Sequence, residues 1–231
     1  IFFTQFKTEP LPAIETQRKA LNGMVMLTPP HREYSFSGIA IFNFCKRLMG
    51  LNPVPWGEIE SWLLKMDPDL LKRQPFKSAL PNGKTIEFAS QQEEWYSMMI
   101  RTKAGLRQPE ALLQLIEEAQ TRNIRWHYQN DIWIMRKKAF AFLELGQSEE
   151  AEQILRKILS QKKDWFLYAD LGDVLQEKDK KLAAWCQAAL APGKIEMKVN
   201  LFEKIAMLIK NDTSAQEIFK SHLLLSFQLF K

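Results

Sequence analysis

With 231 residues, 46% of them hydrophobic, the chain can bury one substantial core or form an array whose units pack only on their neighbours. A net charge of +5 and a pI near 9.1 come from basic residues interleaved with acidic ones, which permits an acidic partner without requiring one. Two widely separated cysteines, Cys45 and Cys186, argue against a disulfide framework or a cysteine-based zinc site, and the longest apolar runs, 39–44 and 223–230, fall short of the roughly 20 residues a bilayer span needs.

No charged-then-apolar signal opens the chain, so a soluble cytoplasmic protein is expected, and the absence of an initiator methionine points to a segment of something longer. The first 30 residues are irregular, with Pro10, Pro12, Pro29 and Pro30 bracketing one short helix over 15–26. A strongly apolar helix follows over 34–49 through Ile39, Ile41, Phe42, Phe44, Cys45 and Leu48. Trp56, Ile59, Trp62, Leu63 and Met66 keep helical spacing for about three turns. Pro81-Asn82-Gly83 reads as a turn, with 84–89 briefly extended. Helices over 91–103, with Trp95, Met98 and Met99, and over 109–122, opened by Pro109, form a hairpin.

The clearest pattern runs from Trp126 to Leu190. Ile132, Met135, Ala139, Phe142 and Leu145 recur at helical intervals until Gly146 interrupts them, and a second helix starts at Ser148 with Ala151, Ile154, Leu155, Ile158 and Leu159 on its apolar face. The Gly146 to Ala151 spacing is that of a tetratricopeptide hairpin, and the unit recurs after about 34 residues. In the second copy Asp164 is the expected N-cap, Tyr168, Leu171, Gly172 and Leu175 line one helix, Lys178 and Asp179 stand at the turn, and Ala183, Ala184 and Ala188 line the next helix. A weaker third copy takes 195–209 and 214–230, with Ser214 and Glu217 spaced as a capping box. Its last helix, with Leu223, Leu224, Leu225, Phe227, Leu229 and Phe230, is apolar around most of its circumference and is expected to be covered by a further helix, a further domain or a second copy of the chain.

These strings, above all HYQNDIWIMRKKAFAFLELGQSEEAEQIL, ILSQKKDWFLYADLGDVL and KIEMKVNLFEKIAMLI, with PPHREYSFSG and the Trp56 to Trp62 region upstream, resemble a family of bacterial tetratricopeptide-like proteins. In that family the helical region is joined to a cold-shock-like OB domain and is associated with TOTE conflict systems. The resemblance implies a part in a defence assembly that handles nucleic acid, although no OB domain is evident in this sequence.

Catalytic chemistry finds little support. His31, His127 and His222 lack Cys, Asp or Glu at zinc-site spacing, Gly83-Lys84 lacks the rest of a phosphate loop, and Ser35 and Ser37 have no identifiable base. Glu93-Glu94, Glu117-Glu118 and Glu149-Glu150 are adjacent, which turns each pair about 100° apart on a helix and reads as solvated faces or N-terminal charge. No catalytic residue, metal or cofactor is therefore expected. The richer constellation is Trp126, His127, Tyr128, Trp133, Arg136 and Lys137. In the repeat register Trp133 and Arg136 fall on the inner side of the first helix, where an aromatic beside a guanidinium can grip a peptide or stack on an unpaired base; a core Trp with a surface Arg is the equally weighted alternative. Phe140 and Asp170 occupy two positions that a carboxylate clamp for chaperone tails would fill with other residues.

The sequence thus predicts an all-α fold of tetratricopeptide-like antiparallel hairpins stacked in a right-handed α-solenoid over 91–231, with an irregular helical region, 1–90, packed on it. The expected function is a non-enzymatic scaffold that binds a protein partner through Trp133, Arg136, Lys137 and Phe140. The alternatives are single-stranded RNA or DNA binding through Arg136, Lys137, Lys162, Lys163, Lys198 and Lys204, and self-association through the C-terminal helix.

Overall fold

Apolar residues at three- and four-residue spacing become ten α-helices in the described part of the computed structural model, which comprises residues 13–28, 30, 36–79, 83 and 85–210. The second helix of the third copy, its apolar C-terminal side chains and the self-association they suggest lie outside the described residues, as do His31, Ser35, Lys84, His222 and most of the 81–83 turn. The chain divides by its contacts into two units, 1–130 and 131–231. The hairpin at 91–121 lies within the first of these units.

In the first unit α1 (Ile14–Leu27) packs on α2 (Phe36–Leu48), α2 on α3 (Trp56–Leu63), α3 on α4 (Gln91–Gly105) and α4 on α5 (Pro109–Thr121). Between α3 and α4 lie a short 3-10 turn (Pro68–Leu70) and an antiparallel hairpin of β1 (Phe76–Ala79) and β2 (Thr85–Phe88), paired Phe76 to Phe88 and Ala79 to Thr85. Within the expected 84–89 extended piece, 85–88 is half of a hairpin whose other strand periodicity did not reveal. Ile41, Phe44, Cys45, Ile59, Trp62, Leu63, Trp95, Met99 and Ile116 are buried, as their spacing required. Burial pushes the Cys45 thiol up to about 12, which leaves it an inert core residue.

The second unit carries α6 (Asn130–Glu144), α7 (Ser148–Gln161), α8 (Trp165–Val174), α9 (Lys178–Leu190), a 3-10 turn (Ile195–Lys198) and α10 (Val199–Ile209). One core cluster joins Ile132 and Ala139 with Ala151, Leu155, Ile158 and Leu159, then with Leu167, Leu171, Val174 and Ala184, so neighbouring helices share a continuous apolar interior. A fully buried leucine such as Leu155 or Leu167 contributes about 2 kcal/mol. Trp185, Ala188, Leu201, Ile205 and Ile209 continue the packing in a second cluster. Gly146 ends the α6–α7 turn at φ 78°, a left-handed conformation in which a Cβ would be strained although the space around it is open.

Two local expectations change. Asp164 occupies the cap position of α8, but its carboxylate pairs with Lys162 at 2.9 Å instead of capping the helix. Lys178 and Asp179 are already helical in α9, the connection being 175–177.

Candidate functional site

The residues singled out between 126 and 137 separate into two clusters. In the second unit, the one-turn spacing of α6 carries Trp133, Arg136 and Phe140 along one side. Phe166, near the start of α8, stacks on Trp133 with ring centroids 5.0 Å apart and planes 9° from parallel. The Arg136 guanidinium lies 5.6 Å from the Trp133 ring, 5.6 Å from Phe140 and 5.3 Å from Phe166. It forms a two-point pair with Asp170 of α8: Nε donates to Oδ2 and an Nη donates to Oδ1 at 2.8 Å. Asp170 is 5% exposed. Burial raises its carboxyl above the ordinary carboxylate value, against the opposing pull of Arg136. Trp133 remains 39% exposed. The arrangement is a half-exposed aromatic cluster whose cation is held by a buried carboxylate.

The other cations named from sequence do not converge. Lys137 and Lys162 are partly buried, and Lys162 pairs with Asp164. Lys163 is exposed. Lys198 is 3% exposed; its ammonium donates to the carbonyls of Ala189, at 3.0 Å, and Ala191, and burial lowers its pKa. It pins the turn before α10 and is not a surface cation. Lys204 gives its charge to both carboxylate oxygens of Asp173 at 2.7 Å. Arg136, Lys198 and Lys204 thus each have an intramolecular partner, and of these Lys198 alone is withdrawn from the surface.

His127 and Tyr128 belong to the first unit. Ser90 caps α4 by accepting from the Glu93 N–H at 3.1 Å, but the Glu93 carboxylate, expected as a solvated or terminal charge, is fully buried and receives the His127 N–H at 2.6 Å. The His127 ring spans two carboxylates, Nδ1 to Glu93 at 2.6 Å and Nε2 to Glu87 of β2 at 3.0 Å. Glu87 also meets Arg125 at 2.8 Å and Lys77 at 3.4 Å, and Tyr128 donates to the Glu87 carbonyl at 3.1 Å. Among the described residues, no three or more His, Cys, Asp or Glu are grouped so as to hold a metal ion.

The hydrogen bond to Glu87 raises the His127 pKa, with Glu93 adding to it and burial opposing. The stabilisation this gives is complete below the ordinary imidazole value near 6.5 and is lost as pH rises through the higher folded-state value. Calorimetric melts should therefore show stability falling as the buffer is taken upward from about pH 6.5, and His127→Gln, which cannot charge, should flatten that slope. An unchanged slope in the variant would show that another group titrates.

Together the hairpins and their shared interior define a tetratricopeptide-like helical-repeat protein. Residues 132–220 match a family described as a domain of unknown function, DUF7017. The chain is similar in structure to BtubC (BKLC) from P. vanneervenii, with a TM-score of 0.59, 12% identity, and 94% of this chain and 89% of that one covered. It is also similar to an ArsTM double mutant of MamA RS-1 (TM-score 0.49, 13% identity, covering 94% and 93%) and to a Podosopora anserina kinesin light chain with nearly identical TPR-like repeats (0.46, 12%, 94% and 92%). No curated protein matches the sequence. No helix among the described residues is long and apolar enough to cross a membrane.

Proposed function

We propose that the chain is a non-catalytic scaffold that docks a protein partner, as an extended peptide or a loop, on the platform of Trp133, Phe166, Phe140 and Arg136, with Lys137 at its edge. The single observation behind this reading is that Arg136 is held beside three aromatic rings by a buried carboxylate while Trp133 stays 39% exposed. Aromatic and arginine side chains dominate the energetics of protein interfaces, and one already held in place loses little freedom on binding. The resemblance to the family found with cold-shock-like OB domains supports a wider setting in a cytoplasmic defence assembly, in which a separate domain would handle nucleic acid.

A display library of random peptides selected on the chain should enrich related sequences carrying apolar or aromatic anchors, and selection on Trp133→Ser should lose them. Should the chain instead bind a single-stranded oligonucleotide with a steep inverse salt dependence that Arg136→Glu abolishes, direct nucleic-acid binding replaces this reading.

A further inference from the structure

A cavity of about 180 Å³ opens in the first unit between the 73–75 segment, the start of α4 and the 122–125 segment that follows α5. Arg73, Arg122 and Arg125 are among the residues that line it, together with Ser90, Gln92 and Asn123, and among the described residues no Asp or Glu does. We propose that this cavity binds the phosphoryl group of a phosphomonoester.

The three arginines differ in what they have left to give. Arg122 is largely committed: one Nη donates to Asp69 Oδ1, the other lies 3.3 Å from Oδ2 and 2.8 Å from Glu118 Oε1, and Nε donates to Glu118 at 3.0 Å. Arg73 faces the same Asp69 as a long ion pair at 4.0 Å, beyond hydrogen-bond reach. Arg125 spends one Nη on Glu87 at 2.8 Å, and Glu87 is shared with His127 and Lys77. A guanidinium carries five N–H donors, so Arg73 and Arg125 hold most of theirs in reserve among the described residues. Their side chains are 65% and 73% exposed, free to turn inward onto a ligand.

The floor is rigid. Ser90 and Gln92 are buried, and the Gln92 side-chain amide donates to the Pro68 carbonyl at 3.0 Å while its N–H donates to the Lys72 carbonyl at 3.1 Å. Ser90 Oγ accepts from the Glu93 N–H, so its own proton remains available to an incoming oxygen. A dianion with three terminal oxygens suits two unspent guanidinium forks and a hydroxyl better than a two-oxygen carboxylate does. The volume accommodates a phosphoryl group and the first atoms of the organic part attached to it.

The test is calorimetric titration of the full chain with inorganic phosphate and with phenyl phosphate, at constant ionic strength set with chloride. Both should bind saturably, and Arg73→Gln/Arg125→Gln should weaken both by about tenfold or more. Arg156→Gln, which removes an exposed cation on α7, should change neither. The two single variants sit on largely solvated side chains and should each give a partial loss, so a folding defect in the double variant would not decide the matter. Retention of full affinity in both single variants, a heat that chloride alone reproduces, or acceptance of phosphate with rejection of phenyl phosphate would overturn the assignment.

Discussion

Replacing Gly172 by alanine should destabilise the second unit by about 3 kcal/mol, although alanine is the better helix former by about 1 kcal/mol. The reason is the indole of Trp185, which α9 presses against the α8 backbone at this glycine. A Cβ on Gly172 would stand 3.0 Å from the ring Cγ and overlap Cδ1 and Nε1 outright. The ring has nowhere to retreat. Its N–H is directed to the Ala169 carbonyl at 3.3 Å and Asp173 Oδ1 at 3.2 Å, and the ammonium groups of Lys181 and Lys204 lie 5.7 and 5.8 Å from its centroid. Lys204 in turn holds Asp173, so moving the indole disturbs a contact from α10 as well. Trp185→Ala alone should cost about 3–5 kcal/mol. In that background Gly172→Ala should become neutral or stabilising, because the clash has gone and only helix propensity remains. Urea denaturation followed by circular dichroism reads both changes, and a stabilising Gly172→Ala in the otherwise native chain would refute the close approach.

Arg136→Met should cost about 2–4 kcal/mol. Breaking a buried ion pair leaves a carboxylate without its partner, and the value sits toward the lower end of that range because the Arg136 side chain keeps 31% of its exposure. The sign of the pH dependence identifies the cause. Burial already raises the Asp170 carboxyl, so its folded form binds a proton more readily than the unfolded chain, and stability falls as pH rises from the ordinary value near 3.8 toward the folded one. Without Arg136 that window widens upward. The variant should be closest to wild type in acid and furthest from it at neutral pH. Arg136→Met/Asp170→Leu should recover most of the loss, since removing both charges also removes the desolvation penalty. A deficit that is equal at all pH values would assign the effect to lost packing against Trp133, Phe140 and Phe166 instead.

Elements were legible from sequence where one face of a helix had to be apolar. Gly146 and the runs from Ile132 and Ala151 gave the hairpin directly, because burial and turn geometry both leave marks within a few residues. The same local logic found the position of Asp164 but not its bond, since a cap and an ion pair require the same residue type. Pairings between distant single residues leave no such mark. Arg136 and Asp170 stand 34 positions apart, as do Glu93 and His127, and nothing in either local pattern announces the other partner. Glu93 has the local pattern of a solvated or terminal charge, an acidic neighbour in the first turn of a helix, yet it is buried and bonded to His127 of the returning chain. Lys198 is not a surface cation for a related reason: the residue is 3% exposed, and its ammonium finds backbone carbonyls at the end of α9. Phe166 was missed as the partner of Trp133 because stacking across two helices depends on how those helices cross.

The docking surface is tested most directly by the indole N–H resonance of Trp133 in isotope-labelled chain, titrated with peptides selected on it. A shift of that signal, with matching changes at Phe140 and Phe166 and a silent Trp185, is the expected result. Saturable binding that leaves Trp133 unmoved while perturbing residues of the first unit would contradict it.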